Sequence, residues 1–290
     1  MPSVEFTDGR RVAVRQSGDP DGTPVVFHHG TPASRLAAGL VDAEAERHGV
    51  RLVAFDRPGY ADAPVTPPGL ASVGADALRI ADALGIGQFA TAGVSGGGPY
   101  ALATALADPD RVTHVAVAAG IGPWSLINPA DLDDPERDLL ALAEAGQIDE
   151  ALAGFRTMLA ADNGPLPDID DDDALIAAFL DGAPPDDFAW LDGGKRRLWA
   201  ADLRAGLPSL DGYARDNVSW GARWDIDVSA IRVPVHLYYG DRDRLVTPAN
   251  GHWHAEHIPT ATMTWLPGAG HGTASYGHWD TMLSELPARA

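Results

Sequence analysis

Apolar residues fall into short continuous runs that alternate with stretches of helical periodicity. The runs have the length of strands buried on both faces of a sheet, and they cover residues 24–28, 50–56, 88–92 and 112–118. Helical patterns follow the first three runs, at residues 35–48, 73–84 and 98–107. This alternation predicts the α/β class, with a mostly parallel, doubly wound sheet.

Both ends of the chain carry further strand signals. Polar and apolar residues alternate over residues 4–15 around Asp8 and Gly9, which is the pattern of a hairpin and its turn. Near the C-terminus the βα rhythm resumes, with strands predicted at 233–240 and 261–266 and helices at 249–257 and 279–286. The sheet is therefore expected to draw its strands from both ends of the chain.

The middle of the chain breaks this rhythm. Between residues 123 and 225 we find no strand pattern, and loops rich in Pro, Gly and Asp separate helical stretches at 135–145, 148–161, 174–180 and 195–203. A length of 290 residues suits one large α/β domain with an insertion. We therefore predict an α/β core of residues 1–122 and 226–290, with residues 123–225 inserted as a helical cap.

The first candidate for chemistry is Gly-Val-Ser-Gly-Gly at residues 93–97. It lies between a predicted strand and a predicted helix that carries Pro99 in its first turn, which is the context of a nucleophile elbow. Such a turn forces Ser95 towards a positive φ and exposes its hydroxyl at the helix N-terminus. The alternative is a glycine-rich turn that cradles a phosphate, but no Walker lysine follows Ser95. Ser95 is the predicted nucleophile.

A serine hydroxyl needs a base to remove its proton and a third group to orient that base. His271 follows the last predicted strand in a glycine-rich loop at residues 267–273, and an imidazole titrates near neutrality. Asp243 lies just past another strand end, where the functional groups of α/β sheets collect. The chain order serine, acid, histidine is the one that accompanies a nucleophile elbow. Asp241, which is nearer to the strand, is expected to support the turn.

Two backbone N–H groups are candidates for holding the oxyanion of an attacked carbonyl. Gly96 follows the nucleophile and lies at a helix N-terminus, and Thr31 follows another strand end. Pro32 cannot donate a hydrogen bond, so it shapes this second turn without contributing a donor.

The substrate pocket is the least defined part of the predicted site. The predicted cap holds most of the tryptophans: Trp124, Trp190, Trp199, Trp220 and Trp224. We predict that Trp124 and Trp220, together with His29 and Val94 from the core, line a pocket for an apolar or aromatic compound. The alternative is that the tryptophans attach short helices to the core.

At this point the chain resembles the α/β-hydrolase fold superfamily over nearly its whole length. The resemblance rests on residues 28–35, 55–60, 93–97, 240–243 and 270–271, which look like motifs of bacterial serine esterases and proline-iminopeptidase-like hydrolases. Their order is highly specific for the fold and for a Ser-His-Asp triad. It says little about the substrate.

Three positions refine the resemblance. Val94 stands where many relatives carry His, Gln or an aromatic residue, and residues 61–63 stand where relatives often show Gly-x-Ser. Both departures affect the expected pocket and leave the triad intact. Because the nucleophile position holds Ser95 and not an aspartate, the resemblance argues against haloalkane dehalogenases and epoxide hydrolases.

The expected function is a serine hydrolase that cleaves a carboxylic ester or lactone of a small apolar or aromatic substrate through an acyl-enzyme. One alternative is an aminopeptidase of the proline-iminopeptidase type. Another is acyl transfer, methyl-ester removal or C–C cleavage on a biosynthetic intermediate, because one triad serves all of these reactions. An alternative of another class is a non-catalytic ligand-binding protein on the same fold.

The composition restricts the partners. A net charge of −20 disfavours nucleic acid and anionic membrane surfaces, so a small-molecule substrate is the expected partner. The chain contains no cysteine, which excludes disulfides and thiolate metal sites, and no metal or organic cofactor is expected. No signal peptide and no apolar run of membrane-spanning length is recognised, so we expect a cytoplasmic protein. The oligomeric state stays open.

Two polar clusters are explained by structural roles and not by metal binding. The acidic run at residues 168–173 lacks the glycine and the terminal glutamate of an EF-hand, so we expect a solvated loop that opens a helix. His252, His254 and His257 have spacings that suit one-sided metal ligation poorly, and we expect them to serve the surface or packing.

Overall fold

The strands in the described residues form one sheet. A computed structural model describes residues 2–126 and 134–286. In chain order the strands are β1 (Ser3–Glu5), β2 (Arg11–Gly18), β3 (Thr23–His28), β4 (Val50–Phe55), β5 (Phe89–Val94), β6 (Val112–Ala118), β7 (Val235–Gly240) and β8 (Ala261–Leu266). Their spatial order is β1-β2-β4-β3-β5-β6-β7-β8. The pairs β1–β2 and β2–β4 are antiparallel and the other pairs are parallel, which confirms the predicted α/β fold.

Helices cover both faces of the sheet. The α-helices in the described residues are α1 (Asp42–Arg47), α2 (Ala71–Ala83), α3 (Gly98–Ala107), α4 (Asp134–Glu144), α5 (Ile148–Asn163), α6 (Asp172–Phe179), α7 (Gly193–Gly206), α8 (Leu210–Gly221), α9 (Pro248–His257), α10 (His271–Tyr276) and α11 (Trp279–Ser284). None of these helices combines the length and the apolar character needed to cross a membrane.

The central strands read as continuous apolar runs because both of their faces are buried. Val25 and Phe27 of β3 have no exposed surface and pack in one hydrophobic cluster with Trp279 of α11. Val26, on the opposite face, is equally buried and packs in a second cluster that includes Leu102 of α3. The sheet is thus a fixed platform, and the carboxyl ends of β3, β5 and β7 meet along one edge.

Helices α4 to α8 form the segment between β6 and β7, which we call the β6–β7 segment. In its described part, residues 119–126 and 134–234, no residue is in a strand. Helices α4, α5 and α8 share a small hydrophobic cluster of their own, whereas Trp199 and Leu203 of α7 belong to the cluster on one face of the sheet. The division into residues 1–122, 123–225 and 226–290 stays a prediction.

Three elements differ from the sequence-based expectation. The first part of the predicted helix at 35–48 is a 3₁₀-helix over Arg35–Val41, and only α1 is α-helical. His271 was expected in a loop, but it is the first residue of α10. Helix α8 was not predicted, because it contains Gly212 and buries Arg215 and Asp216, so its polar residues hide the usual amphipathic pattern.

Candidate active site

Ser95 lies at a sharp turn between β5 and α3. Its φ is 51°, in the left-handed region that non-glycine residues avoid, as the elbow motif predicts. The turn is tight enough to require glycine on both sides. A Cβ built on Gly93 would lie 2.4 Å from the Gly97 carbonyl oxygen, and one on Gly97 would lie 2.2 Å from the His28 carbonyl oxygen.

His271 bridges the serine and a buried carboxylate. Its Nε2 lies 3.0 Å from Ser95 Oγ, and its Nδ1 lies 2.8 Å from Asp243 Oδ2. The carboxylate leaves Nδ1 as the donor, so Nε2 is the acceptor for the serine proton. The Asp243 side chain has no exposed surface, and its Oδ1 accepts hydrogen bonds from the N–H groups of Leu245 and Val246, at 2.9 and 2.8 Å.

The neighbouring carboxylate has a different role. Asp241 Oδ1 accepts a 2.7 Å hydrogen bond from the N–H of Gly268, so it ties the loop after β7 to the loop after β8. This contact confirms the expectation that Asp241 supports the turn.

Helix α10 holds the histidine and is anchored from outside the core. The N–H groups of Gly272 and Thr273 donate to Asp187 Oδ2 and Oδ1, at 2.8 and 2.9 Å. Asp187 belongs to a 3₁₀-helix over Pro185–Phe188 in the β6–β7 segment. Sequence reasoning missed Asp187, because its neighbour Asp186 is equally acidic and the pattern does not show which of them is buried.

Thr31 and Gly96 lie next to each other beside the nucleophile. A Cβ built on Gly96 would lie 2.6 Å from Thr31 Oγ1 and 2.5 Å from Cζ2 of Trp220, so a side chain does not fit there. The peptide bond between Thr31 and Pro32 is cis. The structure therefore brings the two residues predicted to supply the oxyanion donors next to each other.

A buried arginine contacts the loop that carries Thr31. The Arg57 guanidinium donates to the carbonyl oxygens of His29 and Gly30, the latter at 3.1 Å, and to Thr31 Oγ1 at 2.9 Å. It also donates to Asp216 Oδ2 at 2.6 Å, and neither side chain of this ion pair has exposed surface. Burial acts to lower the pKa of Arg57, but the charge and hydrogen bond of Asp216, together with smaller contributions from Tyr60 and Tyr100, outweigh it, and the pKa lies above its ordinary value.

Asp216 is surrounded by donors. Its Oδ2 accepts from Thr31 Oγ1 at 2.7 Å and from the Tyr60 hydroxyl at 3.0 Å, and its Oδ1 accepts from the Tyr100 hydroxyl at 2.6 Å. Burial and the charge of Asp216 raise the pKa of Tyr100, so its hydroxyl stays a donor. Sequence reasoning missed Arg57 and Asp216, and the Arg-Pro-Gly-Tyr turn at residues 57–60 was their only signal.

The predicted pocket residues from the core are fully covered. His29 has no exposed surface; its Nδ1 lies 2.7 Å from the Gly30 carbonyl oxygen and its Nε2 accepts from the N–H of Arg57 at 3.3 Å. Burial, followed by the charge of Arg57, holds the pKa of His29 well below its usual value. Val94 is 1% exposed and packs in the hydrophobic core. The structure brings neither residue to an open cavity.

The predicted tryptophans divide into two groups. Trp124, Trp220 and Trp224 line a cavity of about 750 Å³ together with Trp253, and Ser95 is not among its lining residues. Trp220 is 5% exposed and stands between this cavity and Gly96. The other two pack elsewhere: Trp199 stacks on Phe188 at 5.7 Å, and Trp190 contacts Tyr276 of α10 at 5.2 Å. Trp190 thus contacts the core directly, whereas Trp199 packs against its own segment within the hydrophobic cluster on one face of the sheet.

No group of three or more His, Asp or Glu side chains in residues 2–126 and 134–286 has the arrangement of a metal site. The acidic run opens α6 as expected, because Asp171 Oδ1 accepts from the N–H of Ala174 at 2.8 Å. Asp172 and Asp173 pair with arginines of α7.

Comparison with known proteins agrees with the fold. A putative carbamate hydrolase RutD from Caulobacter sp. is 30% identical over 89% of this chain and 91% of that protein. A non-heme chloroperoxidase from Streptomyces lividans is 28% identical over 95% of this chain and 94% of that protein. The enol-lactonase from Burkholderia xenovorans LB400 shares the fold, with a TM-score of 0.64 at 18% identity over 97% of this chain and 96% of that chain. The family model described as alpha/beta hydrolase fold matches residues 23–282, and the chain therefore belongs to the α/β-hydrolase fold family of hydrolases.

Proposed function

We propose that this hydrolase cleaves carboxylic esters or lactones through an acyl-enzyme on Ser95. The observation that carries the proposal is the continuous chain from Ser95 Oγ to His271 to Asp243, with contacts of 3.0 and 2.8 Å at a strained elbow. A serine hydroxyl with a neutral imidazole acceptor and a buried orienting carboxylate is the arrangement needed for acyl transfer.

In the first half of the reaction, Ser95 Oγ attacks the substrate carbonyl carbon while His271 Nε2 takes the hydroxyl proton. The negative charge that develops on the carbonyl oxygen is stabilised by the N–H groups of Gly96 and Thr31. The C–O bond to the leaving group then breaks, and the imidazolium of His271 protonates the departing alkoxide. Asp243 stabilises that imidazolium through Nδ1.

In the second half, water replaces the leaving group. His271 takes a proton from the water as its oxygen attacks the acyl carbon, and the bond to Ser95 Oγ breaks. Ser95 recovers its proton from His271 and the carboxylic acid departs. A lactone follows the same steps, except that its alcohol remains linked to the acyl group through the carbon chain, so that water releases a single hydroxy acid.

The tryptophans support an apolar or aromatic substrate. The cavity of about 750 Å³ lies on the far side of Trp220 from Gly96, and ligand pockets commonly have such volumes and aromatic linings. The names of the carbamate hydrolase and the enol-lactonase among the similar proteins also fit a substrate whose carbonyl carbon is bonded to oxygen or nitrogen.

An aminopeptidase has less support. It needs a carboxylate to bind the substrate's ammonium group. Two acidic residues that line the cavity, Glu144 and Asp227, are exposed, and three buried carboxylates of the β6–β7 segment are occupied by donors of the core. Asp187 binds backbone N–H groups of α10, Asp202 binds the N–H and hydroxyl of Ser34, and Asp216 binds Arg57.

A labelling experiment tests the proposal. Wild type, Ser95→Ala and the control Ser284→Ala, an exposed serine on α11, are treated with a fluorophosphonate and assayed on aryl esters, lactones and aminoacyl amides. We expect labelling and ester or lactone turnover in wild type and Ser284→Ala, and neither in Ser95→Ala. Turnover of amides in place of esters points to the peptidase, and absence of wild-type labelling favours a ligand-binding protein.

A further inference from the structure

We propose that Asp216 is a positioning residue for the oxyanion donor Thr31 and acts through Arg57. This inference rests on the function proposed above. It assigns to helix α8, in the segment outside the sheet, a part in stabilising the transition state.

The peptide group between Gly30 and Thr31 carries the Thr31 N–H, the proposed oxyanion donor. The Gly30 carbonyl and the Thr31 N–H belong to one planar trans peptide, so they point in opposite directions. Arg57 Nη2 holds the Gly30 carbonyl oxygen at 3.1 Å. The guanidinium therefore fixes the direction in which the Thr31 N–H points.

The Arg57 guanidinium makes two other contacts with the loop that carries Thr31. Arg57 also donates to the carbonyl oxygen of His29 and to Thr31 Oγ1. Three successive residues of the donor loop are thus bound by one rigid fork, whose planar geometry sets directions as well as distances. A small shift of Arg57 moves the whole loop, and oxyanion donors act only over a narrow range of positions.

Asp216 holds Arg57 in place through an ion pair. A guanidinium without exposed surface needs a partner, and Asp216 Oδ2 supplies it at 2.6 Å. The Tyr60 and Tyr100 hydroxyls fix both carboxylate oxygens. Asp216 also binds Thr31 Oγ1 directly at 2.7 Å. Because these contacts already occupy Asp216, its geometry suits positioning and not substrate binding.

The test compares an ester with its thiono analogue. Sulfur is a weak hydrogen-bond acceptor, so the thionoester depends little on oxyanion donors. The ratio of kcat for the two substrates therefore reports on donor alignment, which a merely structural residue does not change. The variants are Asp216→Asn, which keeps the shape, and Asp76→Asn, which breaks a partly buried Arg–Asp pair, with Arg10, away from the elbow.

We expect Asp216→Asn to lower kcat for the ester by about 10²-fold, as for loss of one oxyanion donor. KM should change little, and the ester-to-thionoester ratio should fall at least about tenfold. Asp76→Asn should keep the ratio of wild type. An unchanged ratio in folded Asp216→Asn overturns the inference, as does an equal fall in Asp76→Asn.

A milder variant keeps the inference testable if Asp216→Asn does not fold. Tyr100→Phe removes one donor from Asp216 Oδ1 and retains the charge. We expect it to lower the ratio severalfold, and a wild-type ratio in this variant overturns the inference. If Ser95→Ala still turns over the ester, the proposed function fails, whereas an unchanged ratio in the Asp216 and Tyr100 variants removes the positioning role alone.

Discussion

A carboxylate that folding keeps from ionising should make the protein less stable as the pH rises. Asp202 of α7 is 1% exposed, and its Oδ1 accepts from the N–H and the hydroxyl of Ser34, at 2.8 and 2.7 Å. Burial, which outweighs these hydrogen bonds, raises the pKa of Asp202 from 3.8 to about 7. The perturbation is Asp202→Asn, which keeps an acceptor oxygen and cannot ionise.

The direction in which the free energy of unfolding changes with pH follows from proton binding. Because the pKa is higher in the folded state, the folded state binds more protons between pH 4 and 7, so the stability that this group contributes is lost across that window as pH rises. At about 1.4 kcal/mol per pH unit, the raised pKa of Asp202 corresponds to about 4 kcal/mol in total. About 2 kcal/mol of this falls between pH 5.5 and 8.5.

The assay is urea unfolding of wild type and Asp202→Asn at several pH values between 5.5 and 8.5. We expect the free energy of unfolding of the variant, relative to wild type, to increase by about 2 kcal/mol across this range. Asp186→Asn, an exposed carboxylate of the same segment, should show a constant difference from wild type. Parallel curves for wild type and Asp202→Asn would refute the reasoning.

Three further predictions concern the site. Asp243→Asn should lower kcat by about 10⁴-fold, because His271 loses the partner that fixes its tautomer, while Asp241→Asn should leave kcat within about twofold. Trp220→Ala should join the cavity to the elbow and raise kcat/KM for bulky acyl esters relative to acetates, at a loss of about 3–5 kcal/mol in unfolding free energy. Asp187→Asn should lower kcat about tenfold, because α10 loses an anchor.

Each of these predictions has an outcome that contradicts it. Equal losses of kcat in the Asp243 and Asp241 variants would mean that the loop, and not the carboxylate next to His271, is responsible. Trp224 lines the same cavity, whereas Trp220 is the tryptophan nearest to Gly96, so an identical change of ester preference in Trp224→Ala would argue against a partition at Trp220. Wild-type kcat in Asp187→Asn would show that α10 holds its position without this anchor.

The sheet was predictable because its pattern is local. Residues of β8 alternate and those of β6 are mostly apolar, both between clear breakers, and both strands lie where the pattern places them. The turn at Ser95 was predictable for a similar reason, since glycines on either side are required by backbone contacts within a few ångströms.

What the sequence did not reveal depends on contacts between distant residues. Asp216 and Arg57 are separated by 159 positions, and nothing local to either shows that they are paired and buried. The same holds for Asp187 and α10. His29 was predicted to line the pocket, but its ring makes hydrogen bonds to backbone groups and has no exposed surface. Polar residues buried by the tertiary fold therefore account for most of the differences.

The most direct test of the account is to capture the acyl group on the protein. Wild type is mixed with an aryl ester that it turns over, quenched in acid within the first turnover, digested and analysed by mass spectrometry. We expect the peptide that contains Ser95 to gain the mass of the acyl group, and the corresponding peptide of Ser95→Ala to show no such gain. Turnover of the ester without acylation of Ser95, or an acyl group carried by another residue, would contradict it.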